Sequence, residues 1–263
     1  MKKVFVSFFC LSILFSCQPR QSKDAVYQDP IGFERFFVDS IYFLPQRPNL
    51  ELQIFIYYPV NYADAAVLDS LQRLMTASAT QGADFEYDYQ NPARFVQQFA
   101  DYQVGIFSRY ELPDVDAGML HPSAYTSDTD IVLNHNGILC FVTSIFHYAG
   151  GAHGYYGEFF TNVDLKTGRK LAIKDIFSQS GEETLTATIR EMIAGDLSNY
   201  NLVSEIKPTN NFYFDFEDEG VVFVYNPYEI APHSSGIIDI YIPFDEIVPL
   251  LLPDTPIKRL LGL

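Results

Sequence analysis

Ile131-Val132-Leu133-Asn134-His135-Asn136-Gly137-Ile138-Leu139-Cys140-Phe141-Val142 is the stretch that decides the fold class of this chain. Asn136 and Gly137 both tolerate positive φ, so they predict a tight turn joining a strand over 131–133 to one over 137–148. Downstream, 159–164 reads as another strand, and Lys166-Thr167-Gly168 turns the chain into 170–173. Strands over 212–216 and 221–225 flank Asp218-Glu219-Gly220, a second hairpin signal, and 236–242 adds one more. Upstream, the β-branched and aromatic run over 50–58 lies between Pro48 and Pro59 and predicts a strand. Residues 114–130 are rich in Pro, Gly, Ser and Asp and predict a long surface loop.

Helical spacing appears between these strands. Ala63, Val67, Leu71, Leu74 and Met75 predict an amphipathic helix over 63–79. Phe95, Phe99, Tyr102, Ile106 and Tyr110 predict another over 92–110, with Pro92 in its first turn. Leu185, Ile189, Met192 or Ile193, and Leu197 predict a third over 182–198, with Ser180 as its cap and Glu183 in capping-box register. A short closing helix over 244–251 stops at Pro253. Hairpins outnumber parallel crossovers, so the expected fold is α+β: antiparallel sheets with helices packed on one face. Two sub-lobes are expected, over 31–163 and 164–252, followed by a tail over 253–263.

The 263 residues carry 17 Lys+Arg against 33 Asp+Glu, a net charge of −16. That balance argues against nucleic-acid binding, which needs a basic patch to neutralise phosphates. Lys2 and Lys3 precede a twelve-residue apolar run over 4–15, too short to span a bilayer and suited to a signal peptide over 1–16. Its removal leaves 15 basic against 33 acidic residues, a balance of −18. Leu14-Phe15-Ser16-Cys17 resembles the lipobox of bacterial lipoproteins. The resemblance implies an acylated Cys17, a tether over 17–30, and a location on the extracytoplasmic side of a bacterial membrane. Cys10 would leave with the leader and Cys17 would carry lipid, so Cys140 has no partner for a disulfide. Lying within an apolar run, Cys140 is read as a small buried residue.

The most distinctive motif is His147-Tyr148-Ala149-Gly150-Gly151-Ala152-His153-Gly154-Tyr155-Tyr156-Gly157. No Lys-Ser/Thr follows, which excludes a phosphate-cradling P-loop. His147 and His153, with Glu158 or Asp164, would suit a metal only if the glycines fold them together. Their spacing fits no recognised zinc pattern, so neither a metal nor any other cofactor is expected. The residues carried forward as a binding edge are His147, Tyr148, Gly150, Gly151, His153, Gly154, Tyr155 and Tyr156, the tyrosines supplying contact area of the kind interfaces use. Packing of the same tyrosines beneath a turn is the alternative. The chain has no GxSxG, so no catalytic residue is assigned. Asp215, Glu217, Asp218 and Glu219 read as a solvated turn, and His233 lies in a connection over 226–236.

Three stretches together carry a family resemblance. One is Gly150 to His153 with Thr161-Asn162-Val163-Asp164-Leu165-Lys166-Thr167-Gly168 and 171–177. The second is Tyr225-Asn226-Pro227-Tyr228-Glu229-Ile230-Ala231-Pro232 with Gly236, and the third is Ile242-Pro243-Phe244 before a leucine-rich end. Their order over roughly 45–252 is similar to the paired extracellular domains shared by the anti-sigma factor RsiV and the peptidoglycan deacetylase PdaC. In RsiV that region binds lysozyme; in PdaC it accompanies a separate catalytic domain. The deacetylase zinc pattern is not found in this sequence, nor are the membrane helix and sigma-binding segment of RsiV. The resemblance therefore implies a non-enzymatic, lipid-anchored binding module of the cell envelope, for a cationic lysozyme-like protein or peptidoglycan. An envelope hydrolase or deacetylase using the His147/His153 region is the alternative.

Overall fold

A computed structural model describes residues 30–45, 47–110, 121–196 and 206–263, with side chains of 194–196 excepted. The leader, Cys17, the tether to residue 29, loop residues 114–120 and Leu197 lie outside the described residues. Among the described residues no helix is long and apolar enough to cross a membrane.

The chain builds two sheets. The first runs β1 (Gly32–Tyr42), β2 (Leu50–Asn61), β3 (Ser123–His135), β4 (Ile138–Tyr148), β5 (Tyr155–Asp164) and β6 (Arg169–Lys170), in that spatial order. Every neighbouring pair is antiparallel except β2 with β3. That parallel pair needs a crossover, supplied by α1 (Ala65–Thr80) and α2 (Pro92–Phe107). Asp64 caps α1 through Ala66 N at 2.9 Å, and Asn91 caps α2 through Arg94 N at 3.0 Å, with Pro92 in the first turn. Val67, Leu71 and Met75 of α1 and Phe95 and Phe99 of α2 share a core with Leu52, Ile54 and Ile56 of β2.

The second sheet is a meander of β7 (Phe212–Asp215), β8 (Gly220–Tyr225) and β9 (Ile238–Pro243). Beneath it lie α3 (Gln179–Asp196), the single turn α4 (Phe244–Ile247) and α5 (Pro256–Leu260). Every residue of β8 is buried, because it is covered on both faces. Val221, Phe223 and Tyr225 enter the α3 core with Leu185 and Ile189. Val222 and Val224 pack against Cys140 and Phe160 of the first sheet. The order of layers here is helix, sheet, sheet, helix, and this α+β arrangement agrees with the expected class.

Several elements differ from the sequence reading. Residues 123–130 are strand, not loop. The inward positions Ser123, Ser127 and Thr129 are polar, which hides the alternation, and the hydroxyls of Ser127 and Thr129 find partners inside. Ser127 Oγ donates to the Ala79 carbonyl at 2.9 Å, and Thr129 meets Thr143 at 3.1 Å. The helix predicted from 182 begins at Gln179, capped by Ser178 rather than Ser180: Ser178 Oγ accepts from Gly181 N at 3.0 Å. β1 went unread because its charges interrupt the apolar pattern. The segment read as a tail carries α5, whose Ile257 and Leu260 are buried in the second core.

Candidate functional site

Register separates the residues that the glycine-rich motif groups together. β4 and β5 pair His147 with Tyr155 and Phe146 with Tyr156. Alternation along a strand then sends Tyr155 and Tyr156 to opposite faces. His147 and Tyr155 lie on the α2 side, where the His147 ring stands 6.5 Å from Phe107 and 6.0 Å from Tyr155. Burial lowers the His147 pKa below its ordinary value of 6.5. Burial raises the Tyr155 hydroxyl, with a further push from Glu229.

On the opposite face a ring cluster forms around His233, which enters on the β8–β9 connection. His153 stacks on His233 with centroids 3.9 Å apart and planes at 23°. Both rings point a nitrogen at the Gly154 carbonyl, His153 Nδ1 and His233 Nε2 each at 3.0 Å. Tyr156 stands edge-on to His233 at 5.4 Å, and Tyr228 lies tilted at 5.6 Å. Tyr228 is 55% exposed and holds φ at 74°, a left-handed conformation uncommon for an aromatic residue. Its backbone N–H donates to the Ala231 carbonyl at 3.0 Å. Tyr228 and His233 are the members of the cluster outside the binding edge expected from the sequence.

Backbone geometry fixes both loops. Gly150 and Gly151 sit at φ 105° and 96°, and Tyr148 Oη donates to the Gly151 carbonyl at 3.1 Å. A Cβ on Gly154 would stand 2.7 Å from Phe146 Cε2 and 2.9 Å from the His147 carbonyl oxygen, so only glycine fits. Across the gap, buried Asn226 binds the edge of β5 as another strand would. Its Oδ1 accepts from Glu158 N at 2.8 Å and its Nδ2 donates to the Glu158 carbonyl at 2.9 Å. Asn211 continues the seam, accepting from Phe160 N at 2.6 Å and donating to the Glu158 carbonyl at 2.8 Å.

His147 and His153 are not brought to a common point, and Asp164 is occupied elsewhere. Its carboxylate accepts from Thr167 Oγ1 at 2.8 Å and pairs with Arg259 at 2.5 Å. Among the described residues no three His, Cys, Asp or Glu side chains converge as a metal site would require. Asp215 Oδ1 accepts from the backbone of Glu217 and Asp218 at 3.0 and 3.2 Å, which makes that acidic run a turn. Cys140 is buried between the sheets, where burial pushes its thiol pKa up. The second side of β5 faces a separate cleft of about 390 Å³, lined by Ser78, Gln81, Phe160, Lys170 and Asn211 among others.

Two carboxylates lie close along the chain to the clustered tyrosines, Glu158 two residues after Tyr156 and Glu229 next to Tyr228. Burial raises the pKa of Glu158, Glu229 and Asp239, and for Glu158 the nearby Asp239 adds to the rise. Aromatic faces of this kind can receive a cationic or planar group.

Residues 174–245 match DUF3298, described as a protein of unknown function. The matched segment spans α3 and the second sheet, including the loop that carries Tyr228 and His233. The fold is similar to a crystal structure of a DUF3298 family member from Bacteroides fragilis, with a TM-score of 0.76 and 25% identity. That likeness covers 89% of this chain and 99% of the other. A DUF3298 family protein from Pseudomonas aeruginosa shares the fold at a TM-score of 0.57 and 18% identity, over 86% of this chain and 96% of that one. No match was found among curated proteins.

Proposed function

We propose that this chain is a non-enzymatic binding module of the bacterial cell envelope, held at the membrane by an acylated Cys17. Its ligand is a cationic protein of the lysozyme type, bound at the His153–His233 ring cluster. The observation that carries the reading is the exposed Tyr228 ring, held at positive φ against His233, the ring on which His153 and Tyr156 also converge. A strained, exposed aromatic serves no core, and tyrosine supplies contact area at low entropic cost. The acidic chain complements a basic partner, and the net charge of −18 left once the leader is removed would steer it from a distance. The RsiV/PdaC resemblance supports the same partner class, and the lipobox supports the anchor.

The test is binding of a basic lysozyme to the purified chain at physiological salt. Tyr156→Ala combined with Tyr228→Ala is expected to weaken it at least about thirtyfold, the loss expected of an interface hot spot. Unchanged affinity in that variant removes the ring cluster from the reading. Binding of soluble peptidoglycan in place of lysozyme redirects it to glycan.

A further inference from the structure

We propose that the outer edge of β1 pairs with β1 of a second copy of this chain, antiparallel, about a two-fold axis at Phe37. The two ends of the first sheet are finished differently. At β5, side-chain amides of Asn211 and Asn226 occupy the backbone groups of Glu158 and Phe160. At β1, among the described residues, no strand or amide covers the outer edge, although the strand runs eleven residues. An open edge of that length is a template for another strand. Apolar side chains are exposed along it: Phe37 at 51% and Ile41 at 58%, with Phe43 just beyond at 82%.

The sequence of the edge commits it to itself. Around Phe37, antiparallel pairing places Arg35 opposite Asp39 of the second copy, and Asp39 opposite its Arg35. Phe36 meets Val38, Phe33 meets Ile41, Glu34 meets Ser40, and Phe37 meets Phe37. Apart from Glu34 with Ser40 and Gly32 with Tyr42 at the strand ends, every pair is apolar with apolar or opposite in charge, and each contact off the axis is made twice as a two-fold interface requires. Arg35 already lies on the outer face, with its guanidinium 4.6 Å from the Phe55 ring and 3.8 Å from Asp128. Asp39 sits on the same face, where its carboxylate accepts from Gln53 Nε2 at 3.3 Å. Both groups are therefore available across the edge by side-chain rotation alone. The Phe37 ring stacks on Phe55 at 5.8 Å on the same face.

Sedimentation of the detergent-solubilised full chain is expected to give twice the chain mass. Arg35→Asp alone and Asp39→Arg alone each set like charges opposite one another and are expected to weaken association by more than about tenfold. An equimolar mixture of those two variants is expected to recover the dimer, because every opposed pair is again of opposite sign. Phe37→Cys is expected to cross-link to itself through residue 37 under mild oxidation, and Val38→Cys is not. A chain that stays monomeric at every concentration overturns the proposal, leaving the edge to a different segment. A dimer indifferent to both single swaps, or a mixture that remains monomeric, also overturns it.

Discussion

The imidazole of His153 lies against that of His233 at 3.9 Å, although 80 positions of sequence separate them. One backbone oxygen, on Gly154, receives a nitrogen of each ring at 3.0 Å. The stack therefore ties the β4–β5 loop to the β8–β9 loop, and so the first sheet to the second. His153 is exposed while His233 is partly buried, which makes their roles unequal. His153→Ala is expected to cost less than about 0.5 kcal/mol, as exposed substitutions do. His233→Ala removes the ring that both tyrosines face and is expected to cost about 1–2 kcal/mol. Urea denaturation of the two variants checks the difference, and equal losses would contradict it.

Gly154→Ala is expected to destabilise by about 1–3 kcal/mol through overpacking. The added methyl would meet the Phe146 ring at 2.7 Å and a fixed carbonyl at 2.9 Å, and that oxygen cannot retreat without disturbing β4. Gly151→Ala has open space around it, so its cost comes from positive φ alone. The two variants should differ in tyrosine near-ultraviolet dichroism: only Gly154→Ala moves the ring cluster.

Asn226→Ala deletes the group that satisfies the Glu158 N–H on a strand edge. The Glu158 carbonyl keeps Asn211 as a donor, so one orphan donor is created, at about 1–3 kcal/mol. Amide exchange at Glu158 should accelerate selectively, while Phe160, held by Asn211, stays protected. Equal acceleration at both amides would mean that the whole seam had opened.

The readable parts of this fold were those whose signal is local. Asn136 and Gly137 do adopt φ of 47° and 77°, and Glu219 in the second turn adopts 56°. β8 was readable because burial on both faces leaves an unbroken apolar run. β1 was not, because an edge strand carries Glu34, Arg35 and Asp39 where an inner strand would carry apolar residues. The site was half legible. Glycine density marked the loop around His153, but Tyr155 and Tyr156 looked equivalent until the register assigned them to opposite faces. The partnership of His153 with His233 and Tyr228 depends on two sheets packing together, and no spacing within the chain encodes that.

Stability should respond to pH through two groups of opposite sign. Burial depresses His147 below 6.5, so the unfolded chain binds more protons there, and stability is lost as pH falls through that value. Glu158 is raised above 4.5 by burial and by Asp239, so the folded chain holds the extra proton. Its contribution is therefore lost as pH rises through 4.5 towards the raised value. Glu158→Gln keeps the shape and removes the charge. The variant is expected to match the parent near pH 4 and to melt progressively higher than it as pH rises above 4.5, the gap levelling off once pH has passed the raised value. His147→Gln is expected to show the reverse dependence, gaining on the parent only as pH drops below 6.5. Calorimetric melting of the three proteins from pH 4 to 8 reads both effects. A gap that stays constant across that range would mean that neither group is perturbed by its burial.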